Sequence, residues 1–257
     1  MRKEPEKAEY SIESIGRDTR IMESEFDTRS DDIILGGNQT QSVTEAQEHV
    51  MRVLLINGSP RQNGNTNVAL KEIAGTLESK GIEAEIFWLG NKPVRGCICC
   101  NACSNRDLGR CAFDDDVCNR LVERLADADA IVVGSPTYYG QPSGALLAVM
   151  QRVFYSARRY VEGKPVACVA VCRRGGSSAA FQCLNMPFEM LNALMIGSQY
   201  WNVAFGREPG EVTRDAEGMQ TMRTLGKNMA WVLKNLRRDG AEPRPAQEEW
   251  QPMHFIR

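Results

Sequence analysis

From Arg52 onward, apolar runs without polar alternation recur, and each is followed by a stretch of helical periodicity. Val53–Asn57 reads as a first strand. Asn65–Lys80 carries apolar residues at helical spacing (Val68, Leu70, Ile73, Ala74, Leu77) and is stopped by Gly81. Ala84–Leu89 is a second strand, Asp116–Ala126 a helix, and Ala130–Gly134 a wholly apolar third strand. Gly144–Arg159 is helical, Pro165–Cys172 a fourth strand and Ser177–Leu194 a helix. Met195–Phe205 holds a fifth strand, and Ala216–Arg238 is a long final helix. Strands that are apolar on both faces and alternate with helices predict a parallel sheet covered on both sides. Five such units make one doubly wound α/β domain over residues 51–238, with ligands expected beyond the carboxyl ends of the strands. Residues 239–257 form a tail.

Residues 1–50 break this pattern. They show weak periodicity and hold 12 Asp/Glu against 6 Lys/Arg, a net charge of −6. They are expected to be an extension, flexible or packed on a partner subunit. The whole chain carries −2, so the remainder is mildly basic at +4. It has no basic stripe interleaved with aromatics, which argues against a nucleic-acid partner. No apolar run approaches the ~18–20 residues of a membrane span, and no export signal opens the chain. A cytoplasmic location is the expectation, and the sequon Asn38-Gln39-Thr40 is then idle. The two histidines, His49 and His254, lie outside the predicted elements, which speaks against a Ser-His-Asp hydrolase.

Three loops carry candidate chemistry. After strand one comes Gly58-Ser59-Pro60-Arg61-Gln62-Asn63-Gly64-Asn65-Thr66, opening a helix. Strand, polar turn and helix N-terminus together make an anion site: free backbone N–H groups and the positive dipole end point at one spot. Ser59, Asn63, Asn65 and Thr66 add short donors, and Arg61 adds charge. The spacing fits neither the nucleotide P-loop nor the dinucleotide turn, so a mononucleotide phosphate is expected. After strand three, Pro136-Thr137-Tyr138-Tyr139-Gly140 offers aromatics and free amides to a flat, amphipathic ring system. After strand four, Arg173, Gly175 and Gly176 bring positive charge and allow close backbone approach.

Gly-Ser-Pro-Arg-x-x-Gly-Asn-Thr after strand one and Ser-Pro-Thr-Tyr-Tyr-Gly-Gln after strand three resemble the NADPH-dependent FMN reductase family. More narrowly, the chain is similar to the iron–sulfur flavoprotein branch and its cluster-less relatives. The likeness spans residues 51–236, where Tyr200-Trp201-Asn202 and Pro209-Gly210-Glu211 also fit. It implies a flavodoxin-like doubly wound sandwich with a five-stranded parallel sheet in the order 2-1-3-4-5, and non-covalent FMN. Ser59, Arg61, Asn63, Asn65 and Thr66 would hold the FMN phosphate. Pro136, Thr137, Tyr138, Tyr139 and Gly140 would lie along the ring. Homodimers or homotetramers are implied, with the flavin near a subunit interface.

The segment 96–115 inserts a cysteine motif. Cys97, Cys100, Cys103 and Cys111 read C-x2-C-x2-C-x7-C, a spacing that lets successive thiolates turn toward one centre. The iron–sulfur flavoproteins carry a compact motif of this type at this place, though often with glycine where Cys99 stands. Three readings stay open: a [4Fe–4S] cluster, a cluster-free structural or redox loop, and a four-cysteine zinc site. Cys118, Cys168, Cys172 and Cys183 read as small hydrophobes. Asp114-Asp115-Asp116 reads as a cap on the next helix rather than a magnesium site.

The resemblance implies an oxidoreductase passing hydride from NAD(P)H to FMN and electrons on to a flavin, a quinone, or the cluster and a protein acceptor. No side chain need act as acid or base, since the cofactor carries the chemistry. A non-enzymatic electron carrier is the alternative, disfavoured by the +4 charge where flavodoxin-type carriers tend to be acidic. A redox-sensing regulator ranks below both.

Overall fold

The computed structural model describes residues 49–249 and 251–253. The expected extension up to residue 48, the sequon and His254 lie outside the described residues. Strands β1 (Arg52–Asn57), β2 (Glu83–Trp88), β3 (Ala130–Pro136) and β4 (Pro165–Cys172) are parallel neighbours in the order β2-β1-β3-β4. Every residue of β4 is buried, and β1 and β3 are nearly so, as strands covered on both faces must be.

Alternate residues of β1 serve two separate cores. Val53 and Leu55 pack with α1 (Asn65–Glu78) and α6 (Ala216–Leu236). Leu54 and Ile56 pack with α3 (Cys118–Asp127), α4 (Gly144–Ser156) and α5 (Ser177–Met190). The result is the doubly wound three-layer sandwich that the sequence predicts. A short helix, α2 (Ala102–Asn105), lies inside the cysteine insertion.

The fifth strand position differs from the expectation of one strand. It is shared by β5 (Leu194–Met195), beside Pro165 and Val166 of β4, and β6 (Val203–Phe205), beside Ala170–Cys172. The sheet therefore has six strands in five positions. The chain leaves the edge of β4 after Ile196 and returns at Asn202, whose carbonyl accepts from the Ala170 N–H (3.0 Å). Because Leu194 joins the sheet, α5 ends at Met190 rather than at the predicted Leu194. His49, placed outside the fold by its sequence, hydrogen-bonds the Asp129 carboxylate at 3.1 Å. Of the tail, Arg244 donates to the Asn192 carbonyl and Gln247 to Glu162.

Candidate functional site

The loop after β1 is folded by its own polar groups. Asn57 Oδ1 accepts from the Ser59 N–H (3.0 Å), and Asn57 Nδ2 donates to the Gln62 carbonyl (3.3 Å). Ser59 Oγ accepts from the Arg61 N–H (3.2 Å). Gly58 is required here: a Cβ would sit 2.7 Å from Leu146 Cδ2 and 3.1 Å from the Gly134 carbonyl. That close approach ties the first loop to the end of β3. α1 then starts at Gly64 in extended conformation without a side-chain cap. Among the described residues no acceptor meets the N–H groups of Asn65, Thr66 and Asn67, so the positive end of the helix is open.

The loop after β3 turns tightly, with Tyr138 and Gln141 exchanging backbone hydrogen bonds of 2.8 and 2.9 Å around Tyr139 and Gly140. Both turn residues have positive φ, +50° and +78°. The loop after β4 meets it: a Cβ on Gly176 (φ +82°) would lie 2.9 Å from the Gly140 Cα. The three loop ends and the segment 206–209 enclose a crevice of about 190 Å³ at the carboxyl edge of the sheet. Arg61, Arg173 and Arg207 line it, and no carboxylate does. Thr137 Oγ1 is buried in its wall without a hydrogen-bond partner.

Of the residues named from sequence, Ser59, Arg61, Asn65, Thr66, Pro136, Thr137, Tyr138 and Arg173 share this crevice. Asn63, Tyr139, Gly140, Gly175 and Gly176 do not line it. Asn63 is exposed on the loop, and Tyr139 is fully exposed at the turn tip beside Gly140. Gly175 and Gly176 line the adjoining groove with Tyr200 and Trp201. The Asn65 side chain is committed elsewhere: Nδ2 donates to the Glu208 carbonyl (2.9 Å), and Oδ1 accepts from the Val212 N–H (3.3 Å). Its backbone N–H has no acceptor among the described residues. Sequence reasoning missed Gly206, Arg207 and Pro209 as the fourth wall. Glu211 shapes that wall by accepting the N–H groups of Arg207 (2.7 Å) and Glu208 (2.9 Å), which hold its carboxyl below the usual range. An open helix terminus, three arginines and an orphaned hydroxyl fit a phosphate with a polar-edged ring, as FMN has.

The cysteine segment forms a second site against the end of α4. Cys97, Cys99, Cys100, Cys103 and Cys111 line one small cavity with Arg152 and Tyr155. Arg152 is only 2% exposed, and its Nε donates to Cys111 Sγ (3.2 Å). Its Nη atoms bond the Asp116 carboxylate, the Phe113 carbonyl (2.9 Å) and the Arg95 carbonyl (3.5 Å). Burial opposes charge on both partners. The Cys111 and Asp116 acceptors nonetheless raise the guanidinium pKa, while the Cys118 N–H and Arg152 hold the Asp116 carboxyl low. Burial pushes the Cys97 thiol up, and the Cys118 thiol up to about 12, which leaves Cys118 an inert core residue.

Cys99 has φ +52°, a left-handed conformation that glycine adopts without strain. Asp116 accepts from the Cys118 N–H just before α3 (3.0 Å), but the N-cap position is Val117 and carries no side-chain cap, so the cap expected of the acidic run does not form. Among the described residues no three His, Cys, Asp or Glu side chains gather at the distance of a single ion. Five cysteines line a cavity of about 30 Å³, with Cys99 and Cys100 exposed and Cys97, Cys103 and Cys111 half-buried. An all-thiol donor set with a buried guanidinium on one sulfur fits an iron–sulfur group in its chemistry.

Residues 51–208 match the sequence profile of the NADPH-dependent FMN reductase family. An iron-sulfur flavoprotein of Methanocaldococcus jannaschii is 32% identical over 198 residues, covering 73% of this chain and all of the relative. An iron-sulfur flavoprotein of Methanosarcina thermophila is 26% identical over 193 residues, covering 74% of this chain and 98% of its own. Among solved structures, RosB with a bound 8-demethyl-8-formylriboflavin-5'-phosphate intermediate shares the fold. Its TM-score is 0.58 at 13% identity, over 81% of this chain and 99% of RosB. With the flavodoxin-like sandwich, these matches show that the chain belongs to the NADPH-dependent FMN reductase family, in its iron–sulfur flavoprotein branch, as an FMN-dependent oxidoreductase.

Proposed function

We propose that the protein draws reducing equivalents from NAD(P)H and delivers them to a flavin, a quinone or a one-electron protein acceptor. The one-electron route would pass through a [4Fe–4S] cluster on Cys97, Cys100, Cys103 and Cys111. The observation that carries the proposal is the crevice where the ends of β1, β3 and β4 meet under an open helix terminus. When bound, FMN supplies two-electron uptake and one-electron release. The chain's own part is to bind, orient and tune.

The phosphate is assigned to the first-turn N–H groups of α1, the hydroxyls of Ser59 and Thr66, and Arg61. The ring is assigned to the wall Pro136–Tyr138, where Thr137 Oγ1 would find its missing partner. Arg173 and Arg207, which line the crevice, would offer positive charge to a ring that gains negative charge on reduction. Tyr139 stands fully exposed beside the crevice, and Tyr200 and Trp201 are half exposed beside the adjoining groove. These aromatics support a homodimer or homotetramer that completes the site, to be read by light scattering.

Steady-state oxidation of NADPH and of NADH by the FMN-loaded protein, with flavin, quinone and dye acceptors, tests the reading. Turnover with either nucleotide is the expected result, and none with any acceptor sinks it. The cysteine pocket favours a second reading, a carrier that only relays electrons. Rapid electron exchange with a reduced ferredoxin-type donor but no nucleotide turnover would select that one.

A further inference from the structure

We propose that Arg152 is a positioning residue for the cysteine site: it fixes Cys111 Sγ and sets the reduction potential of the group that Cys111 holds. The proposal rests on the cluster reading above. Burying a guanidinium is costly unless its nitrogens find acceptors, and here all three do, from a single stretch of chain. Arg95 and Asp116 bracket the cysteine insertion, Cys111 and Phe113 lie in its second half, and each receives a hydrogen bond from the one side chain that α4 sends beneath it.

Carbonyls and a carboxylate would be enough for a clamp. The fourth bond goes instead to sulfur, a weak acceptor as a thiol and a strong, charge-assisted one as a thiolate bound to iron. The carboxylate of Asp116 binds at Nη1, a different nitrogen from the Nε that serves Cys111, and so orients the fork without taking the donor that faces the sulfur. Asn119 steadies the same residue from its backbone side. Its Oδ1 accepts from the Cys111 N–H (3.0 Å), and its Nδ2 donates to the Cys111 carbonyl (3.0 Å). The sulfur thus has a fixed position and one fixed donor.

A hydrogen bond and positive charge at a ligand sulfur favour the more negative, reduced form of a cluster, and so raise its potential. Among the described residues, Cys97, Cys99, Cys100 and Cys103 receive no hydrogen bond from any charged side chain. The asymmetry places the tuning at the Cys111 corner. Nothing in the C-x2-C-x2-C-x7-C spacing points to Arg152, which lies 41 residues beyond Cys111.

The test uses the full chain, reconstituted anaerobically with iron and sulfide and assayed for iron, sulfide and FMN per chain. Parent, Arg152→Lys and the charge-neutral pair Arg152→Met/Asp116→Asn are then titrated with dithionite, which gives one electron to each cluster, under electron paramagnetic resonance. The double variant should keep its iron and FMN yet show at least a tenfold lower ratio of reduced to oxidised cluster at the parent's midpoint, about 59 mV for a one-electron couple. Arg152→Lys, which keeps the charge but cannot serve Asp116 and Cys111 together, should fall between. Full iron with an unmoved midpoint in both variants overturns the proposal. So does loss of iron with FMN retained, which makes Arg152 a scaffold clamp alone. A parent that takes up no iron refutes the cluster reading itself, and is recognised before any variant is compared.

Discussion

The crevice at the strand ends and the cysteine pocket under the insertion are built on opposite plans. The crevice is made of main chain with polar groups left over: the N–H groups of Asn65, Thr66 and Asn67 and the hydroxyl of Thr137 have no protein partner among the described residues. The pocket is made of side chains whose polar groups are already answered. Arg152 has four acceptors, and Asn119 serves Cys111, Phe113 and Asp114. Unsatisfied donors hold binding free energy in reserve for a ligand, whereas a closed network contributes to the stability of the fold. Changes in the crevice should therefore appear as lost affinity, and changes in the pocket framework as lost stability.

The largest effect should come from breaking the network on one side. Arg152→Leu leaves the Asp116 carboxylate buried without its counter-ion, at a cost of about 3–5 kcal/mol in urea unfolding. The neutral Arg152→Met/Asp116→Asn pair should regain most of that. A fully stable Arg152→Leu would erase the contrast between the two regions. Next comes the crevice. Arg61→Ala should leave unfolding nearly unchanged. Arg61→Ala with Thr66→Ala should raise the FMN dissociation constant roughly 10- to 100-fold for each phosphate hydrogen bond removed, read by fluorescence titration of the apoprotein. A double variant that purifies with full FMN would remove the phosphate from this loop.

A smaller effect should split by sign. Thr137→Val keeps the shape and deletes the orphaned hydroxyl. Without FMN the variant should be more stable than the parent by about 1 kcal/mol, and with FMN it should bind more weakly. If both quantities fall together, the hydroxyl has a protein partner and is not reserved for the ring.

The same difference in construction explains what the sequence revealed. β1, β3 and β4 were legible because burial on both faces writes a continuous apolar run, and β4 spans Pro165–Cys172 as read. The first loop was legible because a strand, a polar turn and a helix start are consecutive. The split fifth strand was not, since two and three residues are too short to show any period. The hydrogen bonds of the Asn65 side chain to Glu208 and Val212 were not legible, because those partners lie more than 140 residues away. Arg152 reads as one polar position on an amphipathic helix, and only the packed insertion gives it meaning. Arg207 was missed because it follows β6, a three-residue strand too short to show a period, and its loop is held by Glu211.

Acid gives the finest division, because each region owns one carboxyl group held below its usual range. For Asp116 burial works against ionisation, but the Cys118 N–H and Arg152 outweigh it and depress the folded value below 3.8. A carboxylate of that kind adds stability that is fully present above the unfolded value and disappears as pH falls through the folded one. Unfolding free energy should therefore drop as the pH is lowered below about 3.8, and the Arg152→Met/Asp116→Asn pair should lack that part of the slope. Glu211 is depressed below 4.5 by the N–H groups of Glu208 and Arg207 on an exposed turn. By the same linkage its share of the stability is lost as pH falls below about 4.5. Glu211→Gln should therefore lack that part of the slope and, unlike the Asp116 pair, also lose FMN affinity, because Glu211 shapes the crevice wall. Equal acid slopes in all three proteins would mean that neither carboxyl is held low by the fold, and equal FMN affinities would mean that Glu211 does not shape the crevice.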